Sequence, residues 1–451
     1  MPNNRTAQTV SFLGGDDGGA MSLPHVHYLI VGGGLAASAA AGAIRQRDSR
    51  GSVMMIGQES SRPYHRPPLS KGYLRRTSSR ESLFTLAADW MTGHDVALRT
   101  GRRVVRLDNG RHTVMLDSGE EISFDQVLLA TGASPQPLSI AGHALPGVFY
   151  LRTIEDAERL QTAVAKAVRE GRPHRLDGSR GVCVIIGGGV LGVELAASLR
   201  QMGMETDLIA RNWPWAKFAG ESTGRFMTRY LEKHGVVVHT DRPAQRIEGD
   251  GRAQGVQLGT GTSLPCDFVI GAIGATANKD LLRGTPLGAG KAIIVDDHCR
   301  TSDPAVYAAG DCAAVFDPLF GKHRVMDHWD NATVTGTIAG TNMAGGEARY
   351  NAVNYFFSDV FDLSLSVWGE GRQVDRRLMR AAPNVDSPDF IEIGIAADGR
   401  VAQVMAVGHA GDDQWLRQLV GSRARIDGNE EAFKDPATNL SELVRSCPAG
   451  V

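Results

Sequence analysis

The feature that most restricts this chain is a short apolar run that breaks into three consecutive glycines and then into a helix-forming stretch, and it occurs twice. Val26 to Val31 runs into Gly32-Gly33-Gly34 and an alanine-rich segment that predicts a helix from Leu35 to Gln46. Val182 to Ile186 runs into Gly187-Gly188-Gly189 and a predicted helix from Val190 to Gln201. Gly32, Gly34 and Ala37 in the first copy, and Gly187, Gly189 and Gly192 in the second, occupy the three positions of G-x-G-x-x-G/A. The first of these glycines makes the tight turn, and the second lets a pyrophosphate approach the backbone at a helix N-terminus. The small third residue lets the helix lie close on its strand. Two dinucleotides are implied, each in its own strand-turn-helix unit.

The residues after the second strand of each unit separate the two ligands. In the first unit the strand Val53 to Ile56 is followed by Glu59, twenty-five positions beyond Gly34, where an acid hydrogen-bonds an adenosine ribose. In the second unit the strand ends at Ile209-Ala210-Arg211, so that acid is missing and a cation stands beside the vacancy. Arg211, with Lys217 nearby, points to NADPH rather than NADH; the alternative is that Arg211 is a solvated surface charge.

Between and beyond these units, Arg62 to Leu74 reads as a proline-punctuated loop, and Val96 to Leu128 as short strands forming a small antiparallel meander. A helix is predicted over Glu155 to Glu170. The second unit continues with the strand Glu205 to Ile209, a helix near Thr223 to His234, and strands at Val236 to His239, Ala253 to Leu258 and Phe268 to Ile273. The chain returns to the first unit near Asn278, with a strand at Ala305 to Ala308 and a helix at Ala332 to Met343. Strands at Leu363 to Trp368, Phe390 to Ala396 and Val401 to Val407, with a helix near Asp413 to Val420, read as a separate α+β unit. The expected fold class is therefore α/β, with two Rossmann-like dinucleotide-binding domains of the three-layer ββα type plus a C-terminal α+β domain. Residues 25–151 and 278–348 form the first domain, 152–277 the second and 349–451 the third. Residues 1–24 read as a disordered leader, with Met21 as an alternative start.

Composition excludes several other classes. A net charge of −2 gives no basic footprint for nucleic acid. The apolar runs end at glycine after a few residues, so no membrane span is expected. Cys183, Cys266, Cys299, Cys312 and Cys447 are far apart and form neither a metal-type cluster nor a dithiol pair. No metal is expected, and free thiols fit the reducing cytoplasm.

Pro63-Tyr64-His65-Arg66-Pro67-Pro68-Leu69-Ser70-Lys71, the two glycine motifs, Ala130-Thr131-Gly132 and Gly310-Asp311 together resemble the ferredoxin-reductase branch of the FAD-dependent pyridine nucleotide oxidoreductases. That branch includes putidaredoxin and rubredoxin reductases, dioxygenase ferredoxin reductases, apoptosis-inducing factor and monodehydroascorbate reductase. The likeness runs from about residue 25 to 445 and takes in Phe356-Phe357-Ser358-Asp359 and Lys434-Asp435-Pro436. It implies FAD in the first unit and NADPH or NADH in the second, with Lys71 and Glu194 as an ion pair beside the flavin and nicotinamide. An ordinary interdomain salt bridge is the alternative. It further implies that Arg66 and Arg152 contact FAD phosphates or ribityl, that Val104 and Thr131 lie near the adenine half, and that Asp311 bonds the ribityl chain or caps a helix. Trp329 and Asn331 would lie near the isoalloxazine, although a lone Trp is also a core residue, and Gly274 would let nicotinamide approach. The remaining cradle residues are Gly33, Ala36, Ala130, Gly132, Gly310, Gly188, Val190 and Leu191.

Three departures from the family pattern stand out: His65 where an acid is frequent, Ala210 where relatives using NADH have glutamate, and Phe357 where Trp is common. No C-x-x-x-x-C pair follows the first glycine motif, so electrons must leave directly from the flavin. The expected acceptor is a small iron–sulfur protein or a small molecule. A homodimer is allowed. Two alternatives are a slow flavin sensor or scaffold resembling apoptosis-inducing factor and a monodehydroascorbate-type reductase, the latter hinted at by Phe361-Asp362-Leu363-Ser364. The purified protein is expected to be yellow, with a flavin released on denaturation; a colourless preparation that FAD cannot reconstitute refutes this.

Overall fold

The computed structural model describes residues 23–173, 180–408 and 413–448. The leader expected at residues 1–24 lies outside the described residues except for Leu23 and Pro24.

The first glycine turn opens from a seven-stranded sheet. Its parallel part runs Val96–Arg99, Val53–Ile56, His25–Val31, Glu121–Leu129, with Val306–Ala308 pairing the C-terminal half of Glu121–Leu129. The N-terminal half of that long strand pairs antiparallel with Thr113–Leu116, which in turn pairs with Val104–Asp108. The meander expected over Val96 to Leu128 is thus only partly formed. Val96–Arg99 is a parallel edge strand, and Glu121–Leu129 runs parallel to the first strand. Turn signals and alternation look alike in both settings, and burial on both faces of the sheet selects the parallel partner.

Helix Leu35–Arg47 lies against helix Trp329–Met343 with backbones nearly touching. A Cβ on Gly336 would stand 2.3 Å from the Ala36 carbonyl oxygen, and one on Gly340 2.3 Å from that of Ala40. Gly310 donates its N–H to Thr335 Oγ1 at 3.0 Å, which seats Gly310-Asp311 beside the first glycine turn. The alanine-rich sequence of the first helix therefore serves close approach, bringing a late segment of chain to the mouth of an early one.

The second glycine turn opens from a five-stranded parallel sheet in the order Val236–Thr240, Glu205–Ala210, Val182–Ile186, Phe268–Gly271, Val148–Phe149. Val148–Phe149 belongs to this sheet although residues up to 151 were assigned to the first domain; two residues are too short for a periodic signal. The strand expected over Ala253 to Leu258 starts at Gly255, and the one expected to reach Ile273 stops at Gly271. Helix Ile154–Glu170 begins with a capping box between Thr153 and Asp156 and buries Leu160, Val164 and Ala167. Antiparallel strands Ala133–Pro135 and Ala275–Ala277 tie the two nucleotide units together.

The C-terminal unit is a five-stranded antiparallel sheet ordered Tyr355–Val360, Leu363–Gly369, Val401–Val407, Phe390–Ile395, Arg376–Arg380. Sequence reading missed its two edge strands. One is arginine-rich, and the other is half aromatic without clean alternation. This sheet is locked to the second unit by Glu392, whose buried carboxylate accepts from Gly220 N at 3.0 Å and Thr223 Oγ1 at 2.5 Å and pairs with Arg377. It thereby caps helix Glu221–Lys233, which has no side-chain cap of its own. The Phe361-Asp362-Leu363-Ser364 stretch is the hairpin turn and following strand start at this junction, where Tyr230 donates to Asp362; none of the four lines the cleft described below. Among the described residues, no helix is long and apolar enough to cross a membrane.

Gly336→Ala is expected to cost about 1–3 kcal/mol, because overpacking must push the two helices apart. An unchanged urea midpoint would contradict this packing.

Candidate functional site

The two glycine turns open into one cleft of about 1310 Å³ that also reaches the C-terminal sheet. Each turn is built in the same way. Gly32 sits at φ +137°, and a Cβ there would stand 2.1 Å from the Ala130 carbonyl oxygen; Gly187 sits at φ +129°, 2.2 Å from that of Ala272. No other residue fits either turn without moving the neighbouring strand. The third positions, Ala37 and Gly192, lie behind the cleft, where a Cβ on Gly192 would meet the Gly187 carbonyl oxygen at 1.8 Å. Helix-to-turn contact, not ligand contact, is what their small size permits.

Gly34 and Gly189 are the N-caps of helices Leu35–Arg47 and Val190–Gln201, and neither helix start has a side-chain cap. A Cβ on either glycine would meet no protein atom within 4 Å. Two helix N-termini thus present uncapped N–H groups and positive dipole ends to open space, which is what a bound pyrophosphate requires. The residues fit two dinucleotides.

Around the first turn, Glu59 accepts from Tyr64 OH at 2.5 Å and pairs with Arg66 at 2.6 Å, and Arg66 also donates to the Tyr64 hydroxyl and the Arg152 carbonyl. Burial pushes the Tyr64 phenol well up, so it remains a donor. Arg152 reaches across Gly132 to pair with Asp311 at 2.7 Å. Asn278 bonds the backbone of Thr131 and Gly132 as the chain re-enters the first unit. Gly33, Ala36, Val104, Ala130, Gly310 and Gly274 also line the cleft, as do Gly188, Val190 and Leu191. Asn331 does not; it is buried, with its amide donating to the Met326 carbonyl.

On the second side, Trp215 N–H bonds the Gly188 carbonyl at 2.8 Å, folding the segment after strand Glu205–Ala210 back over the glycine turn. This holds Arg211 and Lys217, both exposed, at the rim of the cleft.

Where the two sides meet, Lys71 Nζ lies 2.8 Å from Glu194 Oε1, both side chains nearly buried. The Phe357 ring lies 5.4 Å from the ammonium. Glu194 also accepts from Ser70 Oγ at 2.5 Å and Ser358 Oγ at 2.7 Å. Neither serine was singled out from sequence. Ser70 stands beside Lys71 in the proline motif, which was a usable signal, whereas Ser358 had only an aromatic-serine stretch with no role attached. The Trp329 indole, 38% exposed, donates to His65 Nδ1 at 2.9 Å. That bond needs a neutral imidazole at Nδ1, and burial lowers the His65 pKa in the same sense. His65, noted only as a departure, therefore orients Trp329. His328, also pushed down by burial, stacks on Phe356 at 4.3 Å along the same wall.

Residues 26–336 match the model for pyridine nucleotide-disulphide oxidoreductases, and residues 355–444 match that for the reductase C-terminal domain. The chain belongs to the pyridine nucleotide-disulphide oxidoreductase family. It is 32% identical to rhodocoxin reductase of Rhodococcus erythropolis over 412 residues, covering 90% of this chain and 92% of that one. It is 31% identical to a ferredoxin–NAD(P)(+) reductase of a Sphingomonas species over 434 residues, covering 95% and 100%. The solved covalent complex of putidaredoxin reductase with putidaredoxin has a chain that superposes with a TM-score of 0.85 at 27% identity, covering 93% of this chain and 98% of that one. The family uses FAD with NAD(P)H. Despite the family name, the cysteines here are free, and Cys183, Cys266, Cys299 and Cys312 are buried, with burial raising each thiol's pKa.

Gly189→Ala is expected to leave the unfolding midpoint nearly unchanged, since its Cβ meets no protein atom. It should weaken nicotinamide dinucleotide binding about tenfold or more by blocking the pyrophosphate's approach. Unaltered affinity in a titration of the oxidised protein would remove this cradle.

Proposed function

We infer that the protein is an FAD-dependent NAD(P)H oxidoreductase that passes electrons on to a small ferredoxin-type iron–sulfur protein. The observation that carries this reading is the buried Lys71–Glu194 pair at the junction of two glycine cradles that share one cleft. Relatives named as reductases of rhodocoxin and ferredoxin, each matched over nearly its whole length, support the acceptor class.

Bound FAD would supply the chemistry of hydride acceptance from a nicotinamide and electron release to an acceptor, and the protein's own part is to hold and orient. The first cradle would hold the FAD pyrophosphate at the Gly34 helix end, with a free lone pair of Glu59 for the ribose and the Arg152–Asp311 pair beside the ribityl chain. Arg66, already committed to Glu59, Tyr64 and the Arg152 carbonyl, acts by fixing that acid. The second cradle would hold the nicotinamide dinucleotide. Lys71 supplies a fixed positive charge where electron density grows, and Glu194 keeps that buried ammonium paired so that it persists. Trp329 and Phe357, exposed at 38% and 36%, form an aromatic rim toward which a protein acceptor would approach. Four buried free thiols support a reducing cytoplasmic location.

Arg211 and Lys217 support NADPH as the preferred donor. Anaerobic stopped-flow reduction is expected to be faster with NADPH than with NADH. Arg211→Ala should erase the preference by about tenfold, the worth of one charge-assisted contact to a 2′-phosphate. A wild-type preference for NADH would overturn the assignment.

A further inference from the structure

Glu194 sits where three parts of the chain meet. It projects from helix Val190–Gln201 of the second unit, Lys71 and Ser70 reach it from the proline segment of the first, and Ser358 reaches it from the edge strand Tyr355–Val360 of the C-terminal sheet. Both hydroxyls are buried, Ser358 completely and Ser70 to 4% exposure. The two serines approach opposite carboxylate oxygens, Ser70 taking Oε2 and Ser358 sharing Oε1 with Lys71. A carboxylate gripped on both oxygens cannot rotate about its terminal bond, so the oxygen that faces Lys71 is fixed.

Ser70 is itself held. Its carbonyl accepts from Ser198 Oγ at 2.6 Å, and Ser198 accepts from Arg75 at 3.1 Å. Ser198 lies one helical turn beyond Glu194 on the same helix, so the proline segment is joined to that helix at two successive turns.

We propose that Ser358 and Ser70 are positioning residues for the reduction step: they clamp the Glu194 carboxylate and thereby fix the Lys71 ammonium in the cleft. This rests on the functional reading above, in which that ammonium faces the reacting rings. The C-terminal sheet is then a working part of the nucleotide site, reaching the Lys71–Glu194 pair through the Ser358 hydroxyl and the neighbouring Phe357 ring.

The test compares Ser358→Ala, Ser358→Thr, Ser70→Ala and wild type as FAD-loaded proteins. The NADPH-concentration dependence of anaerobic flavin reduction separates the limiting rate from the dissociation constant. In parallel, the rate at which a small acylating reagent labels Lys71, normalised to exposed Lys166, is read by peptide mass. Each alanine variant is expected to lower the limiting rate roughly tenfold, the scale of one lost hydrogen bond to a charged group, with the dissociation constant unchanged. Lys71 labelling should accelerate, and Ser358→Thr should restore both readouts toward wild type. An alanine variant with wild-type limiting rate and wild-type labelling overturns the clamp, as does a raised dissociation constant with the limiting rate intact. If the wild-type flavin is not reduced by a nicotinamide dinucleotide at all, the functional reading fails, while the labelling arm still decides whether the serines hold Lys71 in place.

Discussion

Everything in this molecule depends on two helices being allowed to begin against a bare strand end with no side chain in the way. A helix start leaves its first N–H groups without partners, and a capping side chain, water or a ligand must satisfy them. Here Thr153 does so for helix Ile154–Glu170 and Glu392 does so for helix Glu221–Lys233. Gly34 and Gly189 do not. These two helix ends share a cleft, and the sheets, the tight contact of helices Leu35–Arg47 and Trp329–Met343, and the strand pair Ala133–Pro135 with Ala275–Ala277 all hold them there.

The second constraint is electrostatic. An ammonium or a carboxylate alone in a nearly dry site would lose its charge, and a buried pair survives only if its remaining hydrogen-bonding capacity is met. Lys71 and Glu194 meet this condition with two hydroxyls and an aromatic face. The pattern repeats where Arg324 is buried between Asp317 and Glu370 and donates to the Gly369 carbonyl, joining the first unit to the C-terminal sheet. Ion pairs at the seams between units thus carry geometry more than stability, because each is satisfied only in one relative placement of the pieces.

Much of this was legible in the sequence because backbone demands leave strong marks. The glycine turns and an acid at the position of Glu59 answer steric and electrostatic requirements that few residues meet, whereas the motif that ends in Lys71 was legible only through the family resemblance. Local pattern was a poorer guide to partners. The alternation around Val96–Arg99 and Glu121–Leu129 suits antiparallel pairing as well as the parallel pairing that forms. Val148–Phe149 is too short to signal its sheet at all. Ser358 was hidden for a different reason: its meaning depends on a carboxylate 164 positions away in sequence, a distance no periodicity spans. His65 looked like a lost acid until its bond to Trp329 was seen.

The Glu392 contact has a consequence for how the molecule comes into being. The C-terminal sheet leaves the ribosome after both glycine turns, yet it carries both the carboxylate that finishes helix Glu221–Lys233 and a hydroxyl that grips Glu194. A chain cut short before residue 355 would keep both glycine turns and still lack these two groups. Full assembly of the site is therefore tied to synthesis of the chain through residue 392: an early domain able to gather nucleotides waits on a later one for its final alignment.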